Sequence, residues 1–126
     1  MPTAPDLSFG YGVGDILAVS KLAWEVYTAY NDAPEDFRDT SNEIKSLHIT
    51  ADRHKDEFQD KTLNPDEEIQ LREILQGCTN ALGDLDRLRV KYISLGSVQG
   101  SSQENIAELR ARLTSNITLL NAFVAR

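Results

Sequence analysis

The sequence predicts an all-α fold, an antiparallel four-helix bundle, and three observations carry that prediction. Apolar residues recur at helical rather than alternating spacing through four separate stretches. The prolines stand only at positions 2, 5, 34 and 65, and the last two fall where a helix would begin. No alternating run enriched in β-branched residues is long enough to make a strand. Helices are therefore expected over about 13–30, 33–60, 65–95 and 102–125, with the second and third long.

The first helix is preceded by Ser8-Phe9-Gly10-Tyr11-Gly12-Val13-Gly14-Asp15, a stretch in which three glycines alternate with Phe9, Tyr11 and Val13. Glycine loosens the backbone there, so aromatic side chains can fold back over the bundle end while the chain turns. The helix itself is expected to run to about Tyr30, before the break Asn31-Asp32-Ala33-Pro34. Its apolar residues Val13, Ile16, Leu17, Val19, Leu22, Ala23, Trp24, Val26 and Tyr27 cover most of the circumference. Such a helix is either central or has something further to bind on its outer side.

For the second helix Asp32 is the expected N-cap, with Pro34, Glu35 and Asp36 in a first turn that favours acids. Phe37, Ile44, Ala51 and Phe58 then recur every seven residues, and Leu47 falls on the same face. Asn64, Pro65 and Glu67 have the order of a capping box with proline at the first helical position, and so start the third helix. That helix has the clearest pattern. Leu71, Cys78, Leu85 and Tyr92 form one row, and Ile74, Ala81, Leu88 and Leu95 form a second. Gly96 suits a left-handed C-cap, and Gly96–Ser101 is a flexible connection. Ser101 and Glu104 make a second capping box for the fourth helix, whose stripe is Ile106, Leu109, Leu113, Ile117, Leu120 and Val124. Short connections make antiparallel neighbours the expected closure.

The chain has 126 residues, a common size for one domain with one core, and no linker or repeat divides residues 1–126. Thirteen basic residues face 20 acidic ones, a net charge of −7. That surface repels phosphate backbones, and no run of Lys or Arg reverses it locally, so nucleic acid is not an expected partner. A single cysteine, Cys78, excludes an internal disulfide and suits a reducing compartment. Met1–Ser8 lacks the basic start and apolar core of a secretory signal. No segment reaches the about 18 uncharged apolar residues of a membrane span, since Lys21 and Glu25 interrupt the best candidate. A cytoplasmic location is expected.

Catalytic and cofactor chemistry is not expected either. The glycines follow no strand and lack a Gly-Lys-Ser/Thr ending, and Asp15 would place a carboxylate where phosphates should lie. His48 and Asp52 are one helical turn apart, with His54 following, but no further ligand set converges at metal spacing. Cys78 in the apolar row reads as a small hydrophobe with no basic neighbour to activate it. The acidic runs Asp56-Glu57 and Asp66-Glu67-Glu68 have no calcium-loop spacing. Asn116 and Asn121 interrupt the fourth apolar stripe as register-fixing groups or as surface. Asn116-Ile117-Thr118 matches a glycosylation acceptor, which a cytoplasmic location would leave unused. No catalytic residue, cofactor, metal or small-molecule substrate is expected.

Three blocks, Ser8–Val19, Ala33–Ile49 and Ile106–Phe123, together resemble the N-terminal domain of fungal NLR-like (STAND/NACHT) proteins, within the HeLo-like helical bundle family. The resemblance covers nearly the whole chain. It implies a signalling or execution domain of an innate-immunity or heterokaryon-incompatibility protein, which oligomerises on activation and triggers regulated cell death. The implied membrane or oligomerisation segment comprises Phe9, Gly10, Tyr11, Gly12, Val13, Gly14, Ile16, Leu17, Val19 and Leu22. Ala33–Leu47 carries packing residues. The connection Gly96–Ser101 is shorter than the basic insert that related domains often have. Implied partners are further copies or other helical signalling domains, and membrane lipid at the plasma membrane after activation.

Charge bears on the membrane step. Asp6, Asp15 and Glu25 oppose Lys21 alone at the front of the chain, so attraction to anionic lipid cannot start insertion. Burial of Ile16, Leu17, Val19 and Leu22 could supply several kcal/mol at about 25 cal/mol per Å2. A resting monomer is expected to bury those same residues already, which leaves one copy little net gain, so lipid contact is expected only once several copies cluster. The competing expectation is an interaction or oligomerisation adaptor that never touches lipid.

Overall fold

In the computed structural model, residues 15–32, 37–59, 63–95 and 100–125 are described, and among them all regular structure is helical. Helix α1 is Asp15–Ala29, extended by a 3-10 turn at Tyr30–Asp32. Helix α2 is Arg38–Gln59, with Asp39 in its first turn. Helix α3 is Pro65–Leu95, 31 residues or about 45 Å of rod, and α4 is Gly100–Val124.

The start of α3 is the best-defined boundary. Asn64 Oδ1 accepts from the Glu67 amide at 2.8 Å, and Glu67 Oε1 accepts from the Asn64 amide at 3.0 Å. Two amides that the first turn leaves without helical partners are thereby satisfied, which is the capping box expected from the sequence. Other boundaries differ in position. The first turn expected at Ala33–Asp36, the C-cap at Gly96 and residues Val13 and Gly14 lie outside the described residues. Helix α4 begins at Gly100, two residues before the expected start, which puts Ser101 inside the helix. The side chains of Ser101, Glu104, Phe58, Tyr92 and Leu95 are outside the description as well.

One core takes side chains from all four helices. Helix α1 supplies Ile16, Val19, Ala23, Val26 and Tyr30, spaced by alternating threes and fours so that all lie on one side. From α2 and the residue just before it come Phe37, Ile44, Leu47 and Ala51. Every described member of the two expected α3 rows is buried, and Leu75 and Leu82 add a third line of contact. Helix α4 contributes Ile106, Leu113, Ile117, Leu120 and Phe123, with Leu109 and Val124 packed at the edge.

Specific contacts order the helices around this core. Residue numbers fall along α2 as they rise along α1: Ser20 meets His48, Tyr27 lies under Lys45, and Tyr30 stacks edge-on against Phe37. Along α3 and α4, Gly77 faces Asn116 and Asp84 pairs with Arg112. Between α2 and α4 the numbers rise together, through Asp39–Arg110, Glu43–Thr114 and His54–Asn121. Tyr30 also reaches α3, where its hydroxyl donates to the Leu85 carbonyl at 2.7 Å. Burial of Tyr30 pushes its hydroxyl titration far upward, so that bond keeps its proton at any ordinary pH.

At Gly77 the α3–α4 approach is closest. A Cβ there would stand 2.4 Å from Asn116 Oδ1. Asn116 is held in place, since its Nδ2 donates to the Arg112 carbonyl at 2.9 Å. Asn116 is half-buried against α3 at this contact, and its hydrogen bond runs within α4. Asn121 is exposed, and its Oδ1 lies 3.4 Å from His54 Nε2.

Candidate functional site

Helix α1 is short, yet it has more apolar side chains than its core-facing side uses. Leu17 is 41% exposed and Trp24 46% exposed. They are seven residues apart, so they share a side about 10.5 Å apart along the axis. Lys21 and Thr28, at the intervening and following turns, are exposed on the same stripe. Leu22 and Tyr27 flank it, half-buried against the core.

Trp24 is held in a defined place rather than projecting freely. Its ring centroid lies 5.4 Å from that of Tyr27 and 5.1 Å from that of His48, both tilted by about 40°. Lys45 Nζ stands 5.8 Å from the Tyr27 centroid, within cation–π range. On α2, Ile49 follows His48 and is 44% exposed. The three rings thus bridge the α1–α2 seam beside an apolar surface.

His48 fastens that seam from below. Its Nδ1 lies 2.9 Å from the Ser20 carbonyl oxygen and 3.2 Å from Ser20 Oγ. A carbonyl oxygen only accepts, so Nδ1 is assigned as the donor, and no hydrogen-bond partner of Nε2 lies among the described residues. His54, further along α2, is buried between Glu57 Oε1 at 3.0 Å and Asn121. Both histidines have protein partners, and no group of three or more His, Cys, Asp or Glu among the described residues is placed to hold a metal. Cys78 is fully buried, and burial pushes its thiol up to about 12. It is therefore no nucleophile at neutral pH.

A shallow groove of about 270 Å3 between α3 and α4 is lined by Asp84, Arg87, Leu88, Lys91, Glu108 and Leu109. Asp84 accepts from both Arg87 and Arg112, which holds its carboxyl below the usual carboxylate range. Within the lining Arg87 pairs with Asp84, and no buried polar group converges on a ligand position.

The expected membrane or oligomerisation residues do not share one surface. Ile16 and Val19 point into the core, Leu22 lies at its edge, and Leu17 is outside. Phe9, Gly10, Tyr11, Gly12, Val13 and Gly14 lie outside the described residues. Ser20 and His48 were not legible as partners, because their contact depends on how α1 and α2 pair. Trp24 was legible as apolar, and its seven-residue spacing from Leu17 could have marked both as one stripe.

No described helix is long and apolar enough to cross a membrane. Searches against protein-family models, curated proteins and solved structures gave no match to this chain.

Proposed function

We propose that this bundle is the N-terminal signalling and execution domain of a fungal NLR-like protein of the innate-immunity or heterokaryon-incompatibility kind. It is not an enzyme in this reading and works without a cofactor. In the cytoplasm a downstream sensor gathers several copies. The exposed stripe of α1 then mediates their association and, at the plasma membrane, engages lipid to trigger cell death. The sequence blocks resembling that family motivate the assignment. The antiparallel course of consecutive helices required by a HeLo-like bundle is supported by the order of contacts between α1 and α2 and between α3 and α4.

The single observation that carries the reading is the double use of α1. Its inner side is fully committed to the core, while Leu17 and Trp24 stay half-exposed on the other. Scattered exposed apolar residues are ordinary. Two on one helix line, one of them a tryptophan held by flanking rings, are what a contact surface needs.

A second reading has its own support. Ile16, Val19, Ala23 and Val26 are almost wholly covered, and the Tyr30 hydroxyl ties the end of α1 to α3. A helix so anchored suits an oligomerisation adaptor that docks helical partners and never leaves the bundle. Clustering the chain on anionic vesicles and measuring dye release separates the two. Release by the wild type, lost in Leu17→Asp/Trp24→Asp, supports membrane execution. Clustering without release, and α1 resistant to protease throughout, supports the adaptor. Failure of the clustered wild type both to associate and to release dye would sink both readings.

A further inference from the structure

We infer that α1 pairs with α1 of a second copy of this chain, antiparallel, about a two-fold axis level with Ala23. The pairing rests on the association role proposed above for this stripe, and adds its occupant and its geometry. Ile16, Val19, Ala23, Val26 and Tyr30 turn inward. Leu17, Ala18, Lys21, Trp24, Glu25 and Thr28 are all exposed, and helical spacing gathers them on the opposite side as one outer face.

Charge selects the occupant. Lys21 and Glu25 are the only charged groups of residues 16–31, and among the described residues neither has an ion-pair partner. The chain carries −7, yet this face is neutral, so a second copy meets no net repulsion there. An anionic lipid surface meets no net attraction. A two-fold interface repeats each contact reciprocally. Run antiparallel, Lys21 falls between Trp24 and Glu25 of the second copy, and the reverse contact repeats it. One axis thus gives two cation–π contacts and two opposite-charge contacts. A parallel pair would instead set Lys21 level with Lys21 and Glu25 level with Glu25, like charge against like.

The side chains suit this register. Trp24 is already held by Tyr27 at 5.4 Å and His48 at 5.1 Å between ring centroids, so pairing costs it little further freedom. Leu17 and Ala18 come beside Thr28 of the second copy, where small side chains let the helix axes approach to about 8 Å. The outer face of one 15-residue helix falls short of the roughly 800 Å2 that each partner gives a standard interface. The pair is therefore weak in dilute solution and forms readily between tethered copies.

Sedimentation equilibrium of the intact chain up to about 1 mM should show a reversible dimer with Kd on the order of 100 µM. Lys21→Glu and Glu25→Lys should each weaken it at least about tenfold, by setting like charges together. An equimolar mixture of those two chains, and one chain carrying both substitutions, should return to within about threefold of the wild type. Orientation is read by oxidising a mixture of Ala18→Cys and Thr28→Cys chains, since the native Cys78 is fully buried. The mixed disulfide should form in preference to either homodimer. A wild-type dimer indifferent to both charge reversals, single variants that fail to complement one another, or predominant homodisulfides overturn the pairing. In those cases the association reading still stands if Leu17→Asp/Trp24→Asp abolishes the dimer. A wild type monomeric at about 1 mM also overturns the pairing, and if it binds anionic vesicles the occupant of the face is lipid. A clustered chain that neither associates nor releases dye takes the association reading down with it.

Discussion

Helices α1 and α3 spend their apolar side chains differently. In α3 the described members of both expected rows, and a third line of Leu75 and Leu82, go into the core, and Ile69 and Val90 are left outside 21 residues apart. In α1 a single line goes in, and Leu17 and Trp24 stay out two turns from one another. Helix α3 is thus a spine whose described apolar side chains go mostly into the core, with Ile69 and Val90 far apart outside it. Helix α1 has a remainder, and packing alone does not explain it. Core burial and surface recognition can be assigned to different sides of one short helix, and substitutions should separate them.

The largest effect belongs to the spine. Leu85→Ala removes a fully buried side chain beneath the Tyr30 hydroxyl, and about 3 kcal/mol of unfolding free energy should be lost in urea titration. A loss below about 1 kcal/mol would mean that α3 is not the spine. Gly77→Ala comes next. Its Cβ meets Asn116 Oδ1, and the strain outweighs the gain in helix propensity, for a net cost of about 1–2 kcal/mol. Adding Asn116→Ala in the same chain should recover most of that cost, and a double-mutant cycle measures the coupling.

Asn64→Ala should cost about 1 kcal/mol by unmaking the cap of α3, seen as a lower midpoint with an unchanged denaturant slope. Smaller still is the expected stability change for Leu17→Ser, within about 0.5 kcal/mol, although sedimentation of clustered chains should show weaker association. A destabilisation as large as that of Leu85→Ala would erase the contrast between the two helices. The least effect is the acid response of the Asp84 pair. Because Arg112 and Arg87 hold its carboxyl low, its contribution is present above the ordinary carboxylate range and is lost as pH falls through its own lowered value. Asp84→Asn should flatten that part of the acid limb.

How far the sequence led differs by element for physical reasons. In α3 a seven-residue period, proline at the first position and a cap three residues before an acid all agree, so its face and start could be read directly. For α1, period alone could not say which apolar residues turn inward, because apolar positions surround the helix and only pairing with α2 and α3 selects Ile16, Val19, Ala23, Val26 and Tyr30. Leu75, Leu82 and Phe123 were missed because they lie beside the expected rows, where burial depends on how the helices pack rather than on the period. The partnership of His48 with Ser20 spans 28 residues and leaves no local trace in the chain.

Cys78 lies between Leu71 and Leu85 in one α3 row, covered on every side, with its thiol pushed up to about 12. An alkylating reagent can reach that sulfur only while the helices are parted, and the thiolate needed for attack forms only once water reaches it. Labelling therefore keeps time with the breathing of the interior. The chain has no other thiol to blur the record, so its single sulfur is a built-in stopwatch for how often the four rods come apart.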